Sequence, residues 1–303
     1  MKILVTGASG FVGGPVCRAL QARGHRVVAA SRRDLPGLEV ARVGDLGPDT
    51  DWSRALAGSE AVVHLAARAH VMQESESDPL ALFRRINRDG TLRLAEQARA
   101  AGVKRFLFVS SIKVNGEATP ADRPFRADDP PAPADPYGIA KAEAERGLRE
   151  MDGLPVTIVR PPLVHGPGAK GNLATLLRVL STGLPLPLGG LDNRRSLVGI
   201  DNLADALGFL LDRQADGTFL IRDGKDVSTS ELLRLLGRGL SRPARLLPAP
   251  TGLFRLCGRS GTIARLTGSL VVDDSPLRAL GWIPPLSLED GLIRMTAAWR
   301  NAR

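Results

Sequence analysis

Residues 2–14 read KILVTGASGFVGG, and their reading decides the fold. Lys2–Thr6 is a short apolar run of the kind that forms a fully buried strand. Gly7, Gly10 and Gly13 follow, and behind them Val12, Val16, Ala19 and Leu20 recur at helical spacing. A glycine-rich turn from a strand into a helix lets backbone N–H groups and the helix N-terminus meet a pyrophosphate. The spacing is Gly-x-x-Gly-x-x-Gly, not the commoner Gly-x-Gly-x-x-Gly. Taken alone, such a loop is also compatible with a simple tight turn.

Outward from that stretch, apolar runs alternate with helical patterns. Strands are expected at Lys2–Thr6, Arg26–Ala30, Ala61–Leu65, Arg105–Ser110 and Val156–Arg160, and helices at Val12–Arg23, Leu80–Ala101 and Tyr137–Met151. This alternation predicts an α/β fold, a Rossmann-type doubly wound parallel sheet. A dinucleotide-binding domain is expected over residues 1–160, with 198–213 returning to it. Residues 161–303, where Pro and Gly become frequent and strands short, are expected to form a smaller, mostly helical substrate region. The loop Glu117–Pro136 is polar and rich in Pro and Asp, and a loop of that length in a compact domain is usually functional.

Just past that loop stands the only tyrosine of the chain, Tyr137, four residues before Lys141. This offset puts both side chains on one helix face, one turn apart. A neighbouring cation favours an ionised phenol, so the pair can move a proton during oxidation of an alcohol or reduction of a ketone. His64, between Val63 and Leu65 at the end of an apolar strand, reads as a packed core residue.

Composition narrows the classes. The chain has 303 residues, 43% of them hydrophobic, which is ample for a packed core. No apolar run approaches the ~20 residues of a membrane helix. The first strand begins at Lys2, leaving no room for a secretion signal, and Cys17 and Cys257 fit a reducing cytosol, so a cytoplasmic protein is expected. Neither these cysteines nor His25, His64, His70 and His165 have metal-ligand spacing. The net charge is +9, yet only six of 41 basic residues are lysine. Arginine spread along the chain, with few aromatics to stack bases, reads as a solvated surface and not a nucleic-acid site. Residues 246–268 are apolar, basic and glycine-broken. They read as an irregular helix pair, or as a peripheral membrane or partner surface.

The glycine loop with Tyr137 and Lys141 resembles the extended short-chain dehydrogenases/reductases, and within them the NAD(P)-dependent nucleotide-sugar epimerases, dehydratases and 4-keto reductases (UDP-galactose 4-epimerase-like). The resemblance covers nearly the whole chain: Asp45-Leu46, His64-Leu65-Ala66-Ala67, Val109-Ser110-Ser111 with Val114-Asn115-Gly116, Arg160-Pro161 through Gly166-Pro167-Gly168, and Arg194-Arg195-Ser196 leading to Asp201–Asp205. It implies Ser111, Tyr137 and Lys141 as the catalytic set, with Ser110 the alternative to Ser111. It implies cofactor contacts from Gly7, Ser9, Gly10, Phe11, Val12, Gly13, Asp45, Leu46, Leu65, Ala66, Ala67 and Pro161, and a structural or proton-relay role for Asn87. For substrate it implies Asn172 and Leu173, Arg195 with Arg194 as fallback, and Asp273 or Asp274. Arg68, His70 and Lys113, near the expected site by sequence only, are candidate substrate contacts. Dimerisation through Leu80–Ala101 and Tyr137–Met151 also follows from the resemblance.

The second strand ends in Ser31-Arg32-Arg33, with Asp34 beyond. An acidic residue there would read the ribose of NAD, whereas arginines suit the 2′-phosphate of NADP. NADP is therefore expected, with NAD the alternative. The leading expectation is an NADP-dependent oxidoreductase that reduces a C4 ketone of a UDP-linked, N-acetylated or 6-deoxy hexose in surface-polysaccharide biosynthesis. The rivals are a 4-epimerase with retained NAD and, from another class, a non-catalytic dinucleotide-binding scaffold. A dehydratase would carry an Asp-Glu pair where Ile112-Lys113 stands.

Overall fold

A computed structural model describes residues 1–69, 78–120, 122–248 and 261–302. Its centre is a seven-stranded sheet, parallel throughout. The strands are β1 (Lys2–Thr6), β2 (Arg26–Ser31), β3 (Glu39–Arg42), β4 (Ala61–His64), β5 (Arg105–Val109), β6 (Val156–Arg160) and, from later in the chain, β10 (Gly217–Leu220). Their spatial order is β10-β6-β5-β4-β1-β2-β3. The order reverses between β1 and β4, and in such sheets ligands bind in the crevice beyond the carboxyl ends at that reversal. Outside this sheet, β7 (Leu163–His165) pairs with β9 (Leu197–Gly199), and β8 (Leu186–Gly189) with β11 (Leu246–Pro248).

Side chains of β1 alternate between the two faces, as strand geometry requires. Ile3 and Val5 join a core with Val16 and Leu20 of α1 (Gly13–Ala22) and Leu203, Leu207 and Leu210 of α7 (Ile200–Asp212). Leu4 points the other way, into a core with Leu56 of α2 (Ser53–Leu56), Leu94 and Ala98 of α4 (Gly90–Ala100), and Ala144 and Leu148 of α5 (Pro136–Arg149). Each such fully buried aliphatic side chain contributes about 1.5–3 kcal/mol. A third core, with Leu173, Leu177, Leu236, Leu292 and Met295, holds the smaller region together.

Three elements differ from the sequence reading. The return to the sheet extends past residue 213, because β10 pairs with β6 as an edge strand. β3 has a polar, half-exposed pattern that carries no apolar run to detect. The expected helix Leu80–Ala101 is interrupted: α3 (Pro79–Phe83) passes through a π-helical turn, Arg84–Asp89, into α4. π-Turns inside α-helices frequently mark functional sites. Within 246–268, β11 is a short strand and Gly261–Thr267 is a helix; residues 249–260 and His70 lie outside the described residues. No helix among the described residues is long and apolar enough to cross a membrane.

Candidate active site

The crevice at the sheet reversal is built first by glycine. Gly7 adopts φ +69°, and a Cβ there would stand 2.8 Å from the backbone nitrogen of Ala66 at the end of β4. A Cβ on Gly13 would lie 2.1 Å from the Gly7 carbonyl oxygen. Any side chain at either position would push the loop off the sheet. No side chain caps the first turn of α1, whose start at Gly13 leaves its N–H groups for an anion. Ser9 and Gly10 are exposed on the loop, and Phe11 and Val12 half-buried. This cradle fits a dinucleotide pyrophosphate.

Beneath it runs a closed chain of hydrogen bonds. The Thr6 hydroxyl accepts the N–H groups of Leu65 and Ala66, both at 3.2 Å, so its proton goes to His64 Nδ1 at 2.6 Å. At the other end Thr91 Oγ1 donates to the Asn87 carbonyl at 2.7 Å, leaving it to accept His64 Nε2–H at 2.9 Å. Both ends therefore assign the Nε2–H tautomer. His64 is fully buried, and burial, helped by the Lys141 charge, pulls its pKa down to about 3. It is neutral at any ordinary pH. Asn87, in the π-turn and also buried, accepts the Arg68 N–H at 2.8 Å and donates to the Arg68 carbonyl at 3.0 Å. Its amide is thus spent on holding the Leu65–Arg68 segment. Leu65, Ala66 and Ala67 stay half-buried along the crevice.

Tyr137 and Lys141 share a face of α5. The helix starts cleanly: Asp135 is the N-cap, accepting the Gly138 N–H at 2.7 Å, and Pro136 occupies the first turn. The Tyr137 ring packs edge-on against Phe83 at 6.1 Å. Lys141 is 1% exposed; its ammonium donates to the Val109 carbonyl at 2.9 Å and lies 4.3 Å from the Phe108 ring centroid. Burial pulls the Lys141 pKa down to about 7, and Glu145 one turn on partly offsets this. The Tyr137 phenol is pushed up, by burial first and then by Asp135. The expected lowering of the phenol by Lys141 is therefore not what the site shows. Desolvation of a phenolate outweighs a cation 6.0 Å from the ring that is itself close to losing its proton.

Ser111 caps the short turn Ile112–Val114, its Oγ accepting the Lys113 N–H at 3.3 Å, which leaves the hydroxyl proton to donate. The Ser110 hydroxyl is buried without a partner among the described residues. α5 is also tied from below. Arg160 and Glu145, both buried, pair through Nε–Oε1 at 2.9 Å and Nη2–Oε2 at 2.5 Å, while Arg160 Nη1 reaches Asn115 Oδ1 at 2.9 Å and the Ala127 carbonyl at 3.3 Å. One guanidinium thus joins the Tyr137 helix, β6 and the loop before Pro136. Sequence reading missed this pair; Glu145, four residues past Lys141 and at helical spacing, was the available signal. Pro161 is buried, its carbonyl accepting Ile112 N–H at 3.0 Å.

At the end of β2, Ser31 is buried and its Oγ accepts the Arg33 N–H at 3.2 Å. The Arg32 guanidinium meets Asp45 at 2.7 Å, both side chains being well exposed. Arg33 is exposed, and Leu46 packs against Gly90, directly after the π-turn.

The substrate residues are spread more widely. Lys113 pairs with Asp135 and faces Glu117 at 3.6 Å. Asn172 is exposed as the first residue of α6 (Asn172–Thr182), whose N-cap is Gly171, while Leu173 is packed in the core. Arg195 turns its guanidinium to the carbonyls of Arg265 at 2.7 Å and Gly268 at 2.9 Å, whereas Arg194 is exposed. Asp273 lines a recess of about 210 Å³ with Arg126, Ala127, Asp128 and Pro276. Asp274 is buried between Arg222 Nε at 3.0 Å and Arg278 Nε at 2.7 Å. Among the described residues no group of His, Cys, Asp and Glu could hold a metal ion.

A glycine cradle at the sheet reversal beside a Ser, Tyr and Lys set defines a dinucleotide-dependent enzyme of the extended short-chain type. A family model described as the NAD dependent epimerase/dehydratase family matches residues 3–221, and the chain belongs to that family. It is 42% identical to a UDP-glucose 4-epimerase of Vibrio cholerae, over 99% of this chain and 96% of that one. Among solved structures it is similar to MoeE5 in complex with UDP-glucuronic acid and NAD (28% identity, TM-score 0.79, all of both chains). It is similar also to the UDP-glucose 4-epimerase of Thermus thermophilus in complex with NAD (25% identity, TM-score 0.79, all of both chains).

Proposed function

We propose that this protein is a UDP-hexose 4-epimerase that retains NAD, in place of the NADP-dependent 4-keto reductase expected first. The likeness along the full chain to an epimerase at 42% identity carries the reading. The Arg32–Asp45 pair supports it, because a carboxylate beside the arginine repels the 2′-phosphate that distinguishes NADP.

Tyr137 acts as the acid/base group, taking the proton of the C4 hydroxyl and later returning it. Ser111 Oγ–H donates a hydrogen bond to the same oxygen. Lys141 would hold the cofactor ribose and lend its charge to the phenol. NAD held in the glycine cradle by Gly7, Gly10 and Gly13 would supply reversible hydride chemistry at C4, with no net redox change. Turning of the keto-sugar between the two transfers is the work of the region around α6, Arg194, Arg195 and Asp273.

The test is denaturation of the purified protein with identification of the released nucleotide, together with incubation with UDP-glucose and no added cofactor. Released NAD and formation of UDP-galactose are expected. A protein that carries NADP or nothing, and consumes NADPH only with a UDP-4-keto sugar, would overturn the reading in favour of the reductase.

A further inference from the structure

We propose that Lys113 and Asp135 are a positioning pair, whose ion pair holds the Ser111 turn against the N-terminus of the Tyr137 helix and offsets part of the charge that the carboxylate capping that helix presents to the phenol. The inference rests on the acid/base role assigned to Tyr137 above.

The two residues stand symmetrically about the chemistry. Lys113 lies two residues after Ser111, and Asp135 two residues before Tyr137. Asp135 divides its oxygens: Oδ1 accepts the Gly138 N–H at 2.7 Å, and Oδ2 accepts Lys113 Nζ. Lys113 is bound at its other end too, its N–H donating to Ser111 Oγ. Its carbonyl lies against Gly138, where a Cβ would stand 2.9 Å from that oxygen. A backbone contact, a helix cap and an ion pair thus converge on the two segments that present Ser111 and Tyr137. The side chains of Lys113 and Asp135 are 33% and 27% exposed, so the pair is shielded more than an open surface bridge.

The charges around the phenol show what the pair does. On its own helix are Asp135 and, one turn on, Lys141. From the Ser111 segment come Lys113 and Glu117, the latter also 3.7 Å from Arg265. From the β4 loop, Arg68 lies 5.9 Å from the centroid of the Phe83 ring that packs on Tyr137. On the flank toward α3 and the π-turn, Arg84 and Arg88 are matched with Glu143 and Asp89. Asp135 is the carboxylate that opposes ionisation of the phenol, and Lys113 is the cation in contact with it. A lysine placed as a substrate contact by sequence is thus committed to the acid/base machinery.

Tyr137 is the only tyrosine, so its ionisation can be read without assignment, by tyrosinate absorbance of the holoprotein or by the single Cζ signal of ¹³C-tyrosine. Lys113→Met is expected to raise the midpoint by about 0.5–1 pH unit, as removal of a nearby opposite charge does. Lys113→Arg should keep the wild-type midpoint. Adding Asp135→Asn to Lys113→Met should bring it back, since asparagine also caps a helix. The rising limb of the kcat/KM profile with UDP-glucose should move in parallel. Equal midpoints in all four proteins would overturn the proposal. So would Lys113→Met raising KM at every pH with the limb unmoved, which marks a substrate contact. Midpoints that shift as expected in a protein that converts no UDP-sugar would leave the clamp standing and remove the epimerase reading. Epimerisation with an unmoved midpoint would do the reverse.

Discussion

Two histidines with no exposed surface lie in opposite halves of the molecule, and they are held in opposite ways. His64, under the cofactor cradle, has a hydroxyl on each ring nitrogen, one donating and one accepting. His165, between the sheet and the smaller region, gives Nε2–H to Asp223 at 2.6 Å and leaves Nδ1 with no partner among the described residues. Asp223 also accepts Gly199 N–H at 2.8 and 2.9 Å and Asn202 Nδ2 at 2.7 Å. The contacts of His64 are thus neutral and matched on both ring nitrogens, and those of His165 hang on one buried carboxylate. The first arrangement is rigid and insensitive to charge. The second concentrates its strength, and its vulnerability, in a single residue.

The largest expected effect tests whether the cofactor half is as prearranged as that matching indicates. Tyr137→Phe removes one oxygen from an otherwise complete site. Turnover should fall ~10²–10⁴-fold, the usual size of acid/base catalysis, while bound cofactor and thermal midpoint stay as in the wild type. Turnover within a few-fold of wild type would remove Tyr137 from the chemistry. Loss of cofactor along with turnover would show that the cradle is not prearranged.

Next comes the single carboxylate. Asp223→Ala strands the Gly199 N–H and the His165 ring and leaves Asn202 Nδ2 with the Leu286 carbonyl alone. A loss of about 3–5 kcal/mol in urea unfolding is expected. A loss below about 1 kcal/mol would mean that the substrate side, too, shares its load among many groups, and the contrast between the halves would collapse.

The same contrast explains what could be read from the sequence. β1 and β6 and the helix carrying Tyr137 were legible because buried strands, glycine turns and Pro-led caps leave local patterns. The four-residue offset put Tyr137 and Lys141 on one face of that helix, whereas Ser111 was named through the family resemblance. The Arg160–Glu145 tie, the Arg195 contact with two carbonyls and the Lys113–Asp135 pair were not legible. Each joins residues distant in the chain, and a charged side chain carries no local mark of which partner it will meet. Arg32 shows the same limit: two arginines at a strand end favoured NADP until Asp45, 13 residues on, was placed against one of them.

His64 offers the pH test of the neutral network. Its pKa is about 3 in the native protein against 6.5 when unperturbed. Between those values the unfolded chain binds a proton that the native ring refuses, so stability is full above about pH 6.5 and falls as pH drops toward 3. At pH 4.5 the loss relative to pH 7 should exceed that of His64→Gln by about 2–3 kcal/mol, carboxylate effects being common to both proteins. Equal losses would mean that the native ring takes the proton, and the tautomer assigned from Thr6 and Thr91 would be wrong.

The smallest effect falls at the outer edge of the cradle. Arg32 and Asp45 are both well exposed, and such pairs contribute about 0–1 kcal/mol. Arg32→Ala should therefore leave the identity of the retained nucleotide unchanged and alter NAD affinity by no more than a few-fold, read by isothermal titration of the stripped protein. A loss of NADPH binding above about tenfold with NADH unaffected would mean that the guanidinium leaves Asp45 for a 2′-phosphate, worth ~1.4 kcal/mol or more. That outcome would sharpen the comparison in an unexpected direction. The matched contacts around His64 would then lie beneath a rim where one exposed ion pair, by opening or staying closed, selects between the two nucleotides and so between net reduction and epimerisation.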